Sequence, residues 1–163
     1  MIDAGLVLVR ILSRIKGPYY KNKLVDNMVI GAFNKPFKKE KIANAWLSTN
    51  INNVIDYNND PICGFSFTMN GYESLLSLMK DVYSKENWTI QNKDLPIHFI
   101  SGEYDPCMTN KKMFFQAINH LSNIGYNNIT HKLYNSMRHE ILNETNKEIV
   151  YQDIITTIKK WEK

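Results

Sequence analysis

Leu95-Pro96-Ile97-His98-Phe99-Ile100-Ser101-Gly102-Glu103-Tyr104-Asp105-Pro106 is the stretch that decides the fold. Ile97 to Ile100 form a short, nearly continuous apolar run, bounded by Asp94-Leu95-Pro96 on one side and Ser101-Gly102 on the other. A run of that kind suits a strand buried on both faces. Phe114, Ala117, Ile118 and Leu121 then recur at helical spacing, which predicts a helix over residues 108–124 that ends at Gly125. Ile129 to Tyr134 is β-rich and predicts a second strand, and Asn135 to Asn143 reads as a loop. The final helix, 146–160, carries Val150, Ile154, Ile158 and Trp161 on one side and Lys and Asp on the other. Strand, helix, strand, helix predicts an α/β class. Strands joined through a helix are normally parallel, with a right-handed crossover.

This order has a geometric consequence. Asp105 falls just beyond the C-terminal end of the first strand, and His139 just beyond the C-terminal end of the second. Neighbouring strands lie about 4.8 Å apart, so both loops emerge at one sheet edge, where open α/β sheets hold their ligands. A carboxylate there can accept the imidazole N–H, fix its tautomer and stabilise the imidazolium during proton transfer. A lone Asp beside Pro106 is ordinarily a turn residue, and a lone His ordinarily plays no special part. The topology is what singles out this pair. His98 and His131 sit inside the strands and His120 inside a helix, which suits packing.

The chain changes character near residue 92. Before it, residues 3–16 read as a helix stopped by Gly17-Pro18. Residues 21–32 and 38–47 read as two short helices parted by Asn34-Lys35-Pro36. Asn50, Asn52, Asn53, Asn58 and Asn59 predict turns that interrupt any helix there. Tyr72, Leu75, Leu76 and Met79 predict a helix over 70–85. Between these lies Phe65-Ser66-Phe67-Thr68-Met69, in which Phe65, Phe67 and Met69 alternate with polar residues and can turn one apolar face to a chain-like substrate.

Composition excludes several classes. With 163 residues, 44% hydrophobic and 22% charged, the chain is an ordinary globular one. A net charge of +4 from scattered lysines does not predict a nucleic-acid partner. Cys63 and Cys107 make neither a disulfide framework nor a zinc pattern, so a reducing, cytoplasmic setting and no metal or cofactor are expected. The apolar run Leu6 to Leu12 is too short to span a bilayer, and Asp3 before it and Arg14 and Lys16 after it do not fit a secretory signal.

Three segments carry a family resemblance. Leu95 to Pro106 resembles the penultimate strand and acid loop of α/β-hydrolases. Met137-Arg138-His139-Glu140-Ile141-Leu142-Asn143-Glu144 resembles the histidine loop of the lysophospholipase and monoacylglycerol lipase branch, of serine aminopeptidase S33 type. Asp60-Pro61-Ile62-Cys63-Gly64-Phe65 is similar to a segment in the cap of bacterial members. The resemblance implies the C-terminal portion of an α/β-hydrolase fold. Residues 1–92 would be its helical cap, and residues 93–163 the last two parallel strands with their flanking helices. It implies Asp105 as acid and His139 as base.

The family order is nucleophile, acid, base, with the serine in Gly-x-Ser-x-Gly. Gly64-Phe65-Ser66-Phe67-Thr68 comes nearest, but it ends in Thr and follows a turn instead of a strand. Ser66 is therefore read as a cap residue. The serine and oxyanion hole are expected outside this chain, in an N-terminal half from the full-length gene or another chain. The isolated chain would then be inactive. The expected reaction is hydrolysis of a lipid or other carboxylic ester such as a lysophospholipid or monoacylglycerol. The alternatives are a non-catalytic truncated hydrolase serving as an interaction module, and a chain that works alone through Ser66.

Overall fold

A computed structural model describes residues 2–86 and 88–162. The elements run α1 (Ile2–Lys16), α2 (Lys23–Val29), a 3-10 helix (Gly31–Glu40), a short 3-10 turn (Ala45–Leu47), α3 (Ile51–Asn59), α4 (Met69–Val82), β1 (Ile97–Gly102), a 3-10 turn (Pro106–Met108), α5 (Lys111–Ile124), β2 (Ile129–Tyr134) and α6 (Lys147–Trp161). They group into two compact units. One comprises Met1–Ala32 with Gly64–Thr89, the other Phe33–Cys63 with Ile90–Lys163. Among the described residues no helix is long and apolar enough to cross a membrane.

The first unit is helical. Leu6 and Val9 of α1, Val25 of α2 and Met69, Tyr72 and Leu76 of α4 make its core. Asp3 lies in the first turn of α1 and Arg14 and Lys16 in its last, which complements the helix dipole. The Tyr72 hydroxyl donates to Asp26 Oδ1 at 2.5 Å, so the polar tip of this core residue has a partner. Thr68 makes no side-chain cap on α4. The first N–H groups of that helix are instead satisfied by backbone carbonyls, Met69 N–H on Tyr20 O at 2.9 Å and Asn70 N–H on Pro18 O at 3.0 Å.

The second unit holds the sheet. β1 and β2 pair in parallel, in register from Ile97 opposite Ile129 to Gly102 opposite Tyr134. Phe114 of α5 meets Phe99 and His131 edge-on, which covers one sheet face. Ile100, Tyr134 and the loop residues Met137 and Ile141 pack with Val150 and Ile154 of α6 and cover the other. The predicted strands, their parallel pairing and the flanking helices are all present.

Two expectations are corrected. Residues 21–47 do not form two α-helices parted by Asn34-Lys35-Pro36: after α2, a 3-10 helix runs from Gly31 to Glu40 through Pro36. Proline has no N–H, and its ring clashes with the carbonyl four residues back, which disfavours an α-helix running through Pro36. The asparagine-rich stretch is an unbroken helix, α3. Its amides find tertiary partners that outweigh their preference for turns. Asn53 Nδ2 donates to Glu140 Oε2 at 2.5 Å, and Asn58 Nδ2 to Ala43 O at 2.9 Å, while Val54 is buried.

Gly102 closes β1 against the histidine loop. A Cβ there would lie 2.1 Å from the carbonyl oxygen of Arg138 and 2.4 Å from that of Met137. Both obstacles are backbone and cannot swing aside. Gly102→Ala is expected to destabilise the fold by about 3 kcal/mol, read as a lowered midpoint in a denaturant melt.

Candidate functional site

Asp105 is placed by the turn that follows β1. Glu103 N–H donates to Tyr134 O, Tyr104 N–H to Met137 O and Asp105 N–H to Gly102 O, at 2.9, 2.9 and 3.2 Å. These bonds tie the acid loop to the end of β2 and to the histidine loop. The Asp105 carboxylate caps the 3-10 turn, with Oδ1 accepting Cys107 N–H at 2.8 Å. Its other oxygen, Oδ2, lies 3.0 Å from His139 Nδ1 and accepts the Ser101 hydroxyl at 3.3 Å. The carboxylate is nearly enclosed, with 10% of its side chain exposed, whereas the imidazole is 41% exposed.

The pair shifts both groups. Desolvation works to raise the Asp105 carboxyl, but the hydrogen bonds from His139 and Cys107 outweigh it and hold the group below the ordinary carboxylate range. The Asp105 hydrogen bond raises His139 against the opposing effect of burial, with Coulombic help from Asp105 and Glu140. Nδ1 is engaged by the carboxylate, which leaves Nε2 to exchange a proton. The two residues expected to meet at the sheet edge do meet.

The remaining predicted residues lie in the first unit. Phe65 and Phe67 are exposed, with rings 5.9 Å apart, and Phe67 also meets Tyr72 edge-on at 5.5 Å. Met69 does not continue their extended alternation. It is the first residue of α4 and is fully buried among Leu6, Val9 and Tyr72, so it packs the helical core and offers no surface to a ligand. Ser66 sits in the irregular stretch before α4, and no strand leads into that helix, unlike the strand-to-helix elbow of a nucleophilic serine.

Several contacts around His139 were not anticipated. The Trp46 ring lies 5.0 Å from the imidazole and packs in turn on Phe33. Arg138 stacks on Phe37, pairs with Glu40 and donates to the Ala45 and Ser48 carbonyls. Glu144 is buried. Residues from 33 to 49 thus wrap the histidine loop. No local periodicity marks such contacts, since they depend on residues about ninety positions apart.

Ligand atoms of Asp105, Cys107 and His139 lie within 4.8 Å of one another, a spacing that can admit a metal. The electrostatics do not favour one. Desolvation and the Asp105 carboxylate push the Cys107 thiol up, so it stays protonated and is both a poor ligand and a poor nucleophile. Asp105 and His139 also direct their facing atoms at each other.

Solved structures share this architecture. A thermostable carboxyl esterase from Bacillus coagulans, solved with glycerol, matches 98% of the chain at 22% identity and a TM-score of 0.84, and the match covers 52% of the esterase. A lipase in its open form matches 96% of the chain at 15% identity and a TM-score of 0.76, over 53% of its own length. A soluble variant of monoglyceride lipase from Saccharomyces cerevisiae, bound to a substrate analog, matches 95% of the chain at 17% identity and a TM-score of 0.64, over 48% of its own length. The fold is that of the α/β-hydrolases, and the chain spans about half the length of these structures. The profile of the family described as serine aminopeptidase, S33, matches residues 4–146, and the chain belongs to that family. No curated protein gives a significant match.

Proposed function

We propose that this chain supplies the acid and base of a serine carboxylic-ester hydrolase of lysophospholipase or monoacylglycerol lipase type. The observation that carries the reading is the 3.0 Å approach of His139 Nδ1 to Asp105 Oδ2, at the shared C-terminal end of two parallel strands. In this reading His139 Nε2 takes the proton of a serine hydroxyl as its oxygen attacks the ester carbonyl. The imidazolium then passes that proton to the departing alkoxide. In the second half, His139 deprotonates water, and the carboxylate product leaves as the proton returns to serine. Asp105 fixes the tautomer and stabilises the imidazolium throughout.

The serine and oxyanion hole are assigned to residues outside this chain, since no Gly-x-Ser-x-Gly occurs in it. Residues 1–92 would cover the pocket as a cap, and 93–163 would complete the catalytic core. Free Cys63 and Cys107 suit a reducing cytoplasmic setting. The test is fluorophosphonate labelling of the 163-residue chain beside a version extended upstream in the gene, which in this reading is the full gene product. Labelling of the longer protein alone supports the reading. Labelling of the short chain that is lost in Ser66→Ala would overturn it.

The exposed pair Phe65 and Phe67 is assigned to the acyl chain of the substrate. In the full gene product, Phe67→Ala is expected to lower kcat/KM for p-nitrophenyl decanoate about tenfold relative to p-nitrophenyl acetate, the loss of one aromatic contact. An unchanged ratio removes Phe67 from the pocket.

A further inference from the structure

Glu144 is a carboxylate with 1% of its surface exposed. Its oxygens accept Thr49 N–H at 2.9 and 3.1 Å, the Thr49 hydroxyl, and Arg138 N–H at 2.7 Å. The Arg138 guanidinium points elsewhere, to Glu40 and to the Ala45 and Ser48 carbonyls. The buried carboxylate is therefore held by uncharged donors from two separate segments. Separating those segments would strand a desolvated carboxylate, which is costly. On the other side of His139, Glu140 N–H donates to Leu47 O at 2.7 Å. The backbone N–H groups of the residues on either side of His139 are thus tied to residues 47–49, Arg138 through Glu144 and Glu140 directly, and Trp46 of the same stretch lies against the imidazole ring.

We propose that Glu144 is a positioning residue for His139: it fastens the histidine loop to the Thr49 segment and so sets the imidazole against Asp105. The catalytic consequence rests on the acid–base reading of that pair, whereas the geometric claim does not. A carboxylate accepts on both oxygens. A Gln side chain accepts on one and turns an NH2 group toward donors, so Glu144→Gln changes the loop's anchor without changing its volume. Displacing a catalytic group by about 1 Å can cost about a hundredfold in rate.

The test uses the full gene product and two readouts. The first is the titration of the His139 ring protons by NMR. The second is hydrolysis of p-nitrophenyl butyrate across pH. Glu144→Gln, with its fold verified by near-ultraviolet circular dichroism, is expected to lower the His139 midpoint toward the ordinary imidazole value. It should also cut kcat about tenfold to a hundredfold, with KM little changed. A folded variant with an unchanged His139 titration would overturn the proposal. If Glu144→Gln does not fold, Thr49→Val removes only the hydroxyl donor and decides instead. A downward shift of the same sign supports the proposal, and no shift overturns it. If the native protein never hydrolyses the ester, the acid–base reading fails, while the NMR titration still decides whether Glu144 positions His139.

Discussion

His139→Ala in the full gene product is expected to lower ester turnover by about four to six orders of magnitude, and to abolish fluorophosphonate labelling with it. Serine is a poor nucleophile at neutral pH, and in the proposed mechanism its reactivity depends on a base that removes its proton. In that mechanism the base is His139, whose Nδ1 meets the nearly enclosed Asp105 carboxylate and whose Nε2 is left for that proton. The variant should still fold, since the side chain is 41% exposed and does not belong to the apolar cluster of Tyr134, Met137, Ile141 and Val150. His98→Ala provides the contrast. Its Nδ1 lies 2.7 Å from the Thr130 hydroxyl, a partner on the neighbouring strand with no link to Asp105. Turnover in that variant is expected to stay within about threefold of the native protein, as for a substitution that leaves transition-state contacts alone. Activity retained in His139→Ala would remove this residue from the mechanism.

The strands were legible in the sequence because local patterning and tertiary role agree there. Ile97 to Ile100 is apolar because α5 packs on one face of the pair and α6 on the other, although these residues stay half-buried where a fully buried strand is expected, and Ile129 to Tyr134 forms the strand that its β-rich composition predicts. The segment from 33 to 63 was less legible for the opposite reason. Its asparagines prefer turns locally, yet α3 forms because Asn50, Asn53 and Asn58 find acceptors on Asn143, Glu140 and Ala43. Those partners cannot be foreseen from a window of neighbouring residues. Met69 misled in another way. The alternation Phe65, Phe67, Met69 reads as one face of an extended segment, but the chain turns helical at Met69 and rotates that side chain into the core.

The site was legible to the extent that topology controls it. Two loops leaving parallel neighbours at the same end must come close, and the register of Gly102 opposite Tyr134 brings Asp105 and His139 within reach. The supporting residues obey no such rule. Glu144 and Arg138 work through contacts to residues 40–49, and one chemical signal was available: an acid five residues beyond the histidine. That acid became meaningful only when its burial was known. Gly102 had a clearer signal, because a glycine in an apolar strand often marks a close backbone approach.

Asp105→Asn separates the electrostatic role of the acid from its structural one. The amide oxygen can still accept Cys107 N–H, so the cap on the 3-10 turn survives. The amide nitrogen, however, donates where the carboxylate accepted, and this selects the imidazole tautomer with its proton on Nε2. In the proposed mechanism Nε2 would then face the serine with a hydrogen instead of a lone pair, and turnover is expected to fall by about ten thousandfold. Stability should change with pH in a defined sense. The folded state raises His139 above 6.5 and lowers Asp105 below 3.8. The histidine contribution is therefore complete below pH 6.5 and fades as pH rises through the raised value, while the aspartate contribution fades as pH falls through its lowered value. Between those limits the pair stabilises most. In Asp105→Asn, the decline in melting temperature on the alkaline side should flatten, because the partner that raised His139 is gone. A variant that keeps the native alkaline decline, or the native turnover, would show that Asp105 does not act on His139 as the 3.0 Å contact requires.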